Sequence, residues 1–282
     1  MWLWEGDSWF FKEIYDTINS TVLPQKAMVS LRYDHWHRLP TAEELPDSDE
    51  TPVDNELQND IPNFILSMLR LAWANRQDWF FGVDMGIYYH PNEVAIVPDG
   101  FLALGVERRK SERGRLSYVL WEEQDVIPLL ALEVVSQKYN GEYEGKLETY
   151  QSLGILYYVI YNPLTTGRKR SYKGRQPLEV YKLKSGKYEL LSPSIQGKET
   201  SIVWMPEIGF GVGCEMGTHG DWNREWLYLY DEVGNRYLTP EEMAEHEQQR
   251  ANRLAEMAEH ERQRANRLAE YLRSIDIDPD RI

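Results

Sequence analysis

The chain has 282 residues, enough for one large domain or two small ones with a core of their own. Its 42% apolar and 12% aromatic content excludes a disordered chain, and a net charge of −15 excludes a protein whose whole surface grips nucleic acid. The charge is uneven: residues 1–100 carry −11, residues 101–190 carry +4 and residues 191–282 carry −8, so a mildly basic island sits between acidic flanks. Cys214 is the only cysteine, which rules out an intrachain disulfide or a Cys-based zinc cluster and fits a reducing compartment. The segment Met1–Asp7 lacks the basic start of a signal peptide, and no run approaches the roughly 20 apolar residues of a membrane span. The expectation is a cytoplasmic protein that does not engage a membrane.

In chain order, residues 38–60 are rich in Pro, Asp, Glu and Thr and read as a loop. Residues 57–76 read as a helix, with Ile61, Phe64, Ile65, Met68, Leu69 and Ala72 three and four apart. Three strands are predicted next: Trp79 to Tyr89, Glu93 to Leu104 and Pro128 to Val135. The third is apolar but for Glu133, the pattern of a strand buried on both faces. Residues 142–152 favour a short helix and Ile155 to Tyr161 a further strand. Strand–helix–strand at the end of this series predicts two parallel neighbours joined by a right-handed crossover. Beyond it, Leu178–Leu183 and Tyr188–Leu191 flank Lys184-Ser185-Gly186-Lys187 as a hairpin, and residues 200–238 alternate short strands with Gly-rich turns.

The C-terminus carries a tandem repeat. MAEHEQQRANRLAE (Met243–Glu256) is followed by MAEHERQRANRLAE (Met257–Glu270), and Thr239-Pro240-Glu241-Glu242 opens the helix. The period of 14 is two heptads. With Ala244, Ala251, Ala258, Ala265 and Leu272 at one core position, the other holds Glu247, Leu254, Glu261, Leu268 and Ile275, a weak seam. An exposed charged helix and a homodimer both fit.

Three features carry chemistry. Asp99 follows Val97-Pro98, Glu133 lies inside an apolar strand, and Lys146 lies early in the next helix. A carboxylate inside a buried strand must be paired, hydrogen-bonded or bound to a cation. If the two strands are neighbours, Asp99 and Glu133 converge and, with the carbonyl of Val134, offer an oxygen set suited to Mg²⁺. Lys146 would then stabilise charge developing on a phosphate. The alternatives are a core Glu133 paired with a cation and a turn-forming Asp99 in Pro98-Asp99-Gly100.

The order helix–β–β–β–helix–β, with Pro98-Asp99-Gly100-Phe101, Leu132-Glu133-Val134-Val135-Ser136, Lys146 four residues before Tyr150, and Gly154 to Pro163, resembles the Uma2 (DUF820) family of the PD-(D/E)XK nuclease superfamily. The resemblance implies an α/β, restriction-endonuclease-like core with a mixed sheet, here carrying a β-rich extension and a C-terminal helix. It implies a hydrolase, an endonuclease acting on DNA with Mg²⁺ or Mn²⁺, in which Asp99 and Glu133 hold the metal. The superfamily's lysine normally stands two residues after the acid, a position occupied here by Val135; Lys146 on the following helix takes its place, with Lys138 the competitor. Glu56 and Asp84 are accessory acids, and Tyr150 an accessory hydroxyl on the face of Lys146. Asn162 stands where many relatives carry Asp, and Leu156 where many carry Glu.

The expected organisation is an N-terminal region and acidic loop (1–56), the nuclease-like domain with its extension (57–238) and a helical tail (239–282). His35 and His37, without a third ligand nearby, read as a surface turn. Arg108, Arg109, Lys110, Arg113 and Arg115, like Arg168, Lys169, Arg170, Lys173 and Arg175, fit either phosphate contacts or solvated loops. The rival functions are a catalytically weak nuclease fold that only binds DNA and an assembly protein dominated by its repeated helix. A glycosidase using the two acids ranks last, for want of sugar-stacking motifs.

Overall fold

Helix α1 (Glu56–Ala72) opens the core. Its Ile61, Phe64, Ile65, Met68 and Leu69 are all buried, as the three-and-four spacing requires, and Glu56 stands exposed in its first turn. The structure is a computed structural model and describes residues 38–45, 56–136, 142–165, 175–196 and 200–275. After α1 come β1 (Trp79–Val83), β2 (Ile87–Tyr88), β3 (Gly100–Leu104), β4 (Tyr118–Val119), β5 (Leu130–Val134), helix α2 (Gly145–Leu153) and β6 (Tyr157–Tyr161). The extension supplies β7 (Leu178–Lys184), β8 (Lys187–Leu190), β9 (Ile195–Gln196), β10 (Ser201–Met205), β11 (Phe210–His219) and β12 (Trp222–Tyr230).

The main sheet is mixed, in the order β1-β3-β5-β6-β7-β8. β1, β3 and β5 pair antiparallel, β5 and β6 pair parallel through the α2 crossover, and β7 and β8 close the edge as an antiparallel hairpin. β12-β11-β10-β9 form a second sheet, and β2 with β4 a small parallel ribbon. Alternation along the strands sorts two cores. Leu130, Leu132 and Val134 of β5, with Tyr157, Val159 and Tyr161 of β6, join α1 and the inner residues of β10–β12. Phe101 and Ala103 of β3, Ala131 of β5, Tyr158 and Ile160 of β6 and then Val135 face the other way, onto Tyr150 and Leu153 of α2. By the same parity Asp99 and Glu133 belong to the α2 face.

Two glycines are required by this packing. Gly154 ends α2 in the left-handed region (φ 88°), where its N–H reaches the carbonyls of Tyr150 and Gln151. Gly82 lies opposite Phe101 in the β1–β3 register, and a Cβ there would stand 2.2 Å from the Phe101 ring. Gly82→Ala is therefore expected to destabilise the domain by about 1–3 kcal/mol, measured by urea unfolding, because the ring has no room to retreat.

By its contacts the chain divides into one unit through Tyr237 and another from Leu238. The second is helix α3 (Pro240–Ser274), which has no buried residue. Its start is a capping box: the Thr239 hydroxyl accepts from the Glu242 N–H, the Glu242 carboxylate accepts from the Thr239 N–H, and Pro240 follows the cap.

Several predicted bounds are corrected. The strand expected over Trp79–Tyr89 is broken at Asp84, which turns into the left-handed region (φ 46°) and separates β1 from β2. The strand expected over Glu93–Leu104 begins only at Gly100, since Pro98 cannot donate to a ladder; Ile96 instead bridges Ile87. β11 and β12 are long, with nine paired positions rather than short alternating pieces. The helix expected from residue 142 starts at Gly145, after a turn over 142–144.

Candidate active site

The β3–β5 register sets Gly100 against Leu132, so one further step sets Asp99 against Glu133. β3 ends there, and the Val134 N–H finds no strand partner; the Asp99 carboxylate accepts it at 2.6 Å (Oδ2). Glu133 is buried within β5 and takes two hydrogen bonds from α2. Lys146 Nζ donates to Oε2 at 2.7 Å, and the Tyr150 hydroxyl donates to Oε1 at 2.5 Å. Lys146 and Tyr150 are four residues apart and share one helical face, so a single helix delivers both donors. The Lys146 side chain remains 25% exposed while Glu133 is at 1%, so the cluster opens toward solvent on the lysine side.

The charges are strongly coupled. Burial, then the neighbouring Glu133 charge, pushes Asp99 up to about 8, despite the Val134 N–H and Lys146 that favour its ionised form. Burial likewise raises Glu133, against the opposing pull of Lys146 and Tyr150. Burial alone would lower the Lys146 ammonium, but Glu133 and Asp99 outweigh it and hold it above the usual value. Burial and the Glu133 charge keep Tyr150 protonated, as a donor must be. Burial first, and then the adjacent Glu133 charge, thus favour the protonated form of Asp99 at neutral pH.

This donor set fits a divalent ion. Two carboxylates opposite one another at a strand end are the hard, oxygen-only ligands that Mg²⁺ takes, usually one or two at a time with waters and phosphate oxygens completing the shell. Among the described residues no group of three His, Cys, Asp or Glu side chains gathers at one point.

The structure brings together Asp99, Glu133, Val134, Lys146 and Tyr150. Glu56 stands exposed at the α1 N-terminus, where the helix dipole favours an acid. Asp84 has an exposed side chain, and its backbone N–H donates to the Asp99 carbonyl at 3.1 Å, so it supports the turn entering the site. Lys138, His35, His37 and Arg168–Lys173 lie outside the described residues. Val135 is buried in the α2-side core, which removes the in-strand lysine position from any polar role. Leu156 is core, and Asn162 is a local brace: Nδ2 donates to the Tyr143 hydroxyl and Oδ1 accepts from the Leu164 N–H.

Of the basic residues, Arg115 pairs with buried Glu123 at 2.9 Å and stacks over Phe80, and Lys110 reaches Glu122 and Glu123 at 3.2 and 3.1 Å. Arg115 is neutralised inside the fold, and Lys110 is paired at its surface. One acid escaped the sequence reading: Glu142 is buried, and its charge bears on both Glu133 and Lys146. A Gly-Glu-Tyr-Glu-Gly stretch before a helix gave no sign that its first acid, rather than its second, turns inward.

A mixed sheet with the α1-β1-β3-β5-α2-β6 order and a paired-acid and lysine cluster at the end of β3 and β5 defines a restriction-endonuclease-like fold. The Uma2 family model, described as "putative restriction endonuclease", matches residues 48–213, and the chain belongs to that family. Among solved structures, the chain is similar to a "putative nuclease belonging to DUF820" from Anabaena variabilis, at 13% identity and a TM-score of 0.38, covering 59% of this chain and 89% of that one. No curated protein matches the chain. Among the described residues no helix is long and apolar enough to cross a membrane.

Proposed function

We propose that the chain is an endonuclease that hydrolyses DNA phosphodiester bonds with Mg²⁺ or Mn²⁺. The observation that carries this reading is the placement of Asp99 one register step from Gly100, opposite Glu133, with Asp99 bonded to the Val134 N–H and Lys146 bonded to Glu133. Asp99 and Glu133 would hold the metal. The N–H and C=O of one strand residue point to the same side, so the Val134 carbonyl is offered at the edge where its N–H meets Asp99. When bound, the ion supplies Lewis acidity and neutralises phosphate charge. Lys146, the exposed member of the cluster, stabilises negative charge on the phosphate or orients the attacking water. Tyr150 fixes the Glu133 carboxylate through its hydrogen bond, and Glu142 adds negative charge that keeps Lys146 protonated. A nuclease fold that only binds DNA is the second reading, favoured by Val135 at the in-strand lysine position.

The test is nicking of supercoiled plasmid by the full chain in Mg²⁺, Mn²⁺ or chelator, beside calorimetric titration with metal. Cleavage lost on chelation is expected. Metal binding that needs Asp99, without turnover on any DNA, favours the second reading. Since Asp99 must give up its proton to bind the ion, metal affinity is expected to rise about tenfold per pH unit from pH 6 toward pH 8 and then level off, as read by the same titration.

A further inference from the structure

Helix α3 exposes large apolar side chains along its length: Met243, Leu254, Met257, Leu268, Tyr271 and Ile275, with Leu254, Met257, Leu268 and Tyr271 all more than half exposed. They are not scattered. Written as heptads, one core position is Glu247, Leu254, Glu261, Leu268 and Ile275, and the position three residues on from each is Arg250, Met257, Arg264 and Tyr271, with Met243 preceding. The seam therefore alternates an apolar step (Leu254 with Met257) and an ionic step (Glu261 with Arg264). The ionic steps are closed within the helix, Arg250 to Glu247 and Arg264 to Glu261 each at 3.7 Å. The Ala series that the sequence places in the seam falls beside this stripe instead, on its flank.

We propose that α3 pairs with the same helix of a second copy of the chain, in antiparallel orientation. A parallel pair sets each core residue against itself, so Glu247, Arg250, Glu261 and Arg264 would each meet a like charge in the seam. An antiparallel pair sets each core position against the other. With the two-fold axis between Ala255 and Glu256, Leu254 meets Met257 of the second copy, Met243 meets Leu268, Glu247 meets Arg264 and Arg250 meets Glu261. Every layer from Met243 to Leu268 is matched, and the symmetry operation returns the same contacts, which is the signature of a closed two-fold interface. An unrelated partner has no reason to require such self-complementarity.

The flanks agree with close approach on one side, where Ala244, Ala251, Ala258 and Ala265 are small. On the other, Arg253 and Arg267 stand opposite His260 and His246 of the second copy. Ionic layers roughly break even against their desolvation, so the apolar layers supply the affinity and the association is concentration-dependent. Adding or removing one 14-residue unit preserves the matching of layers, which suits a sequence built by tandem duplication.

Sedimentation equilibrium on the full chain over a range of concentrations at pH 8 is expected to show a species of twice 33.2 kDa. Glu247→Arg with Glu261→Arg puts Arg against Arg and is expected to weaken association at least tenfold. Adding Arg250→Glu and Arg264→Glu restores opposite charges in the antiparallel pair and is expected to restore it. Orientation is read by pulsed electron resonance with a spin label on Glu245→Cys in a Cys214→Ala chain. In the antiparallel pair the labels lie about 30 Å apart along the axis, 1.5 Å per residue. A chain that is monomeric throughout, a dimer indifferent to the charge substitutions, or labels side by side as in a parallel pair would each overturn the proposal.

Discussion

Glu133→Gln is expected to lower metal-dependent nicking of plasmid by at least ~10³-fold while leaving the circular-dichroism spectrum unchanged. Gln keeps the length of the side chain, and its oxygen can still accept from Lys146 or Tyr150, the two donors bonded to Glu133. What it lacks is the charge that a metal and Lys146 both require. The amide is preferable to Ala, because removing one member of a buried pair leaves the other uncompensated, at a cost of about 3–5 kcal/mol that would confuse misfolding with loss of chemistry. Lys146→Gln provides the comparison. It is expected to cost turnover while sparing metal affinity, since Lys146 touches Glu133 from the solvent side and holds no metal in the proposed site. Undiminished cleavage by the Glu133→Gln chain would remove this cluster from the reaction altogether.

The second expected result concerns stability. Asp99 titrates near 8 in the fold, above its ordinary carboxylate value, because of burial and then the Glu133 charge. A folded value above the unfolded one means the neutral acid is the form the fold prefers. Its contribution is fully present below about pH 4 and is lost by about 1.4 kcal/mol per pH unit as pH rises toward 8. Asp99→Asn keeps an oxygen for the Val134 N–H and carries no charge at any pH. In the metal-free state this variant is expected to melt several degrees above the parent at pH 8 and to converge with it at pH 4, by calorimetric scans. Metal ion should raise the melting temperature of the parent at pH 8 and leave the variant unmoved. A variant less stable than the parent at pH 8 would show that the ionised acid is already compensated by something other than a metal.

Much of the site was legible from the chain alone. A lone Glu in Leu130-Ala131-Leu132-Glu133-Val134-Val135 stands out because transfer of a charge into an apolar strand is too costly to be casual. Asp99 was harder to separate from an ordinary Pro-Asp-Gly turn, and the deciding fact is the β3–β5 register, a long-range pairing that no local pattern encodes. Lys146 falls in the stretch read as a short helix, where the family resemblance puts the lysine, and its four-residue spacing from Tyr150 is the spacing that brings both to one carboxylate. Glu142 was missed because burial of one acid of the two in a short Gly-bounded stretch depends on which way the chain turns before α2. The basic residues show the converse. Arg115 and Lys110 fit either phosphate contacts or solvated loops by sequence, yet both are tied to Glu123, eight and thirteen residues away.

What the sequence by itself determined is what depends on near neighbours. It determined the helix and strand types, the parallel β5–β6 pair demanded by a helical crossover, the family, and the uneven charge with its basic middle third. Only the tertiary structure decided which polar groups meet. It broke two expected strands, at Asp84 and ahead of Gly100, where backbone geometry and a proline overrode apolar pattern. It set Asp99 one step beyond the last β3–β5 pair, against Glu133, and left the Val134 N–H for Asp99 to satisfy. The reason is physical: periodicity reports which face of an element is buried, whereas register and the proton on Asp99 depend on charges and hydrogen bonds between elements 35 residues apart.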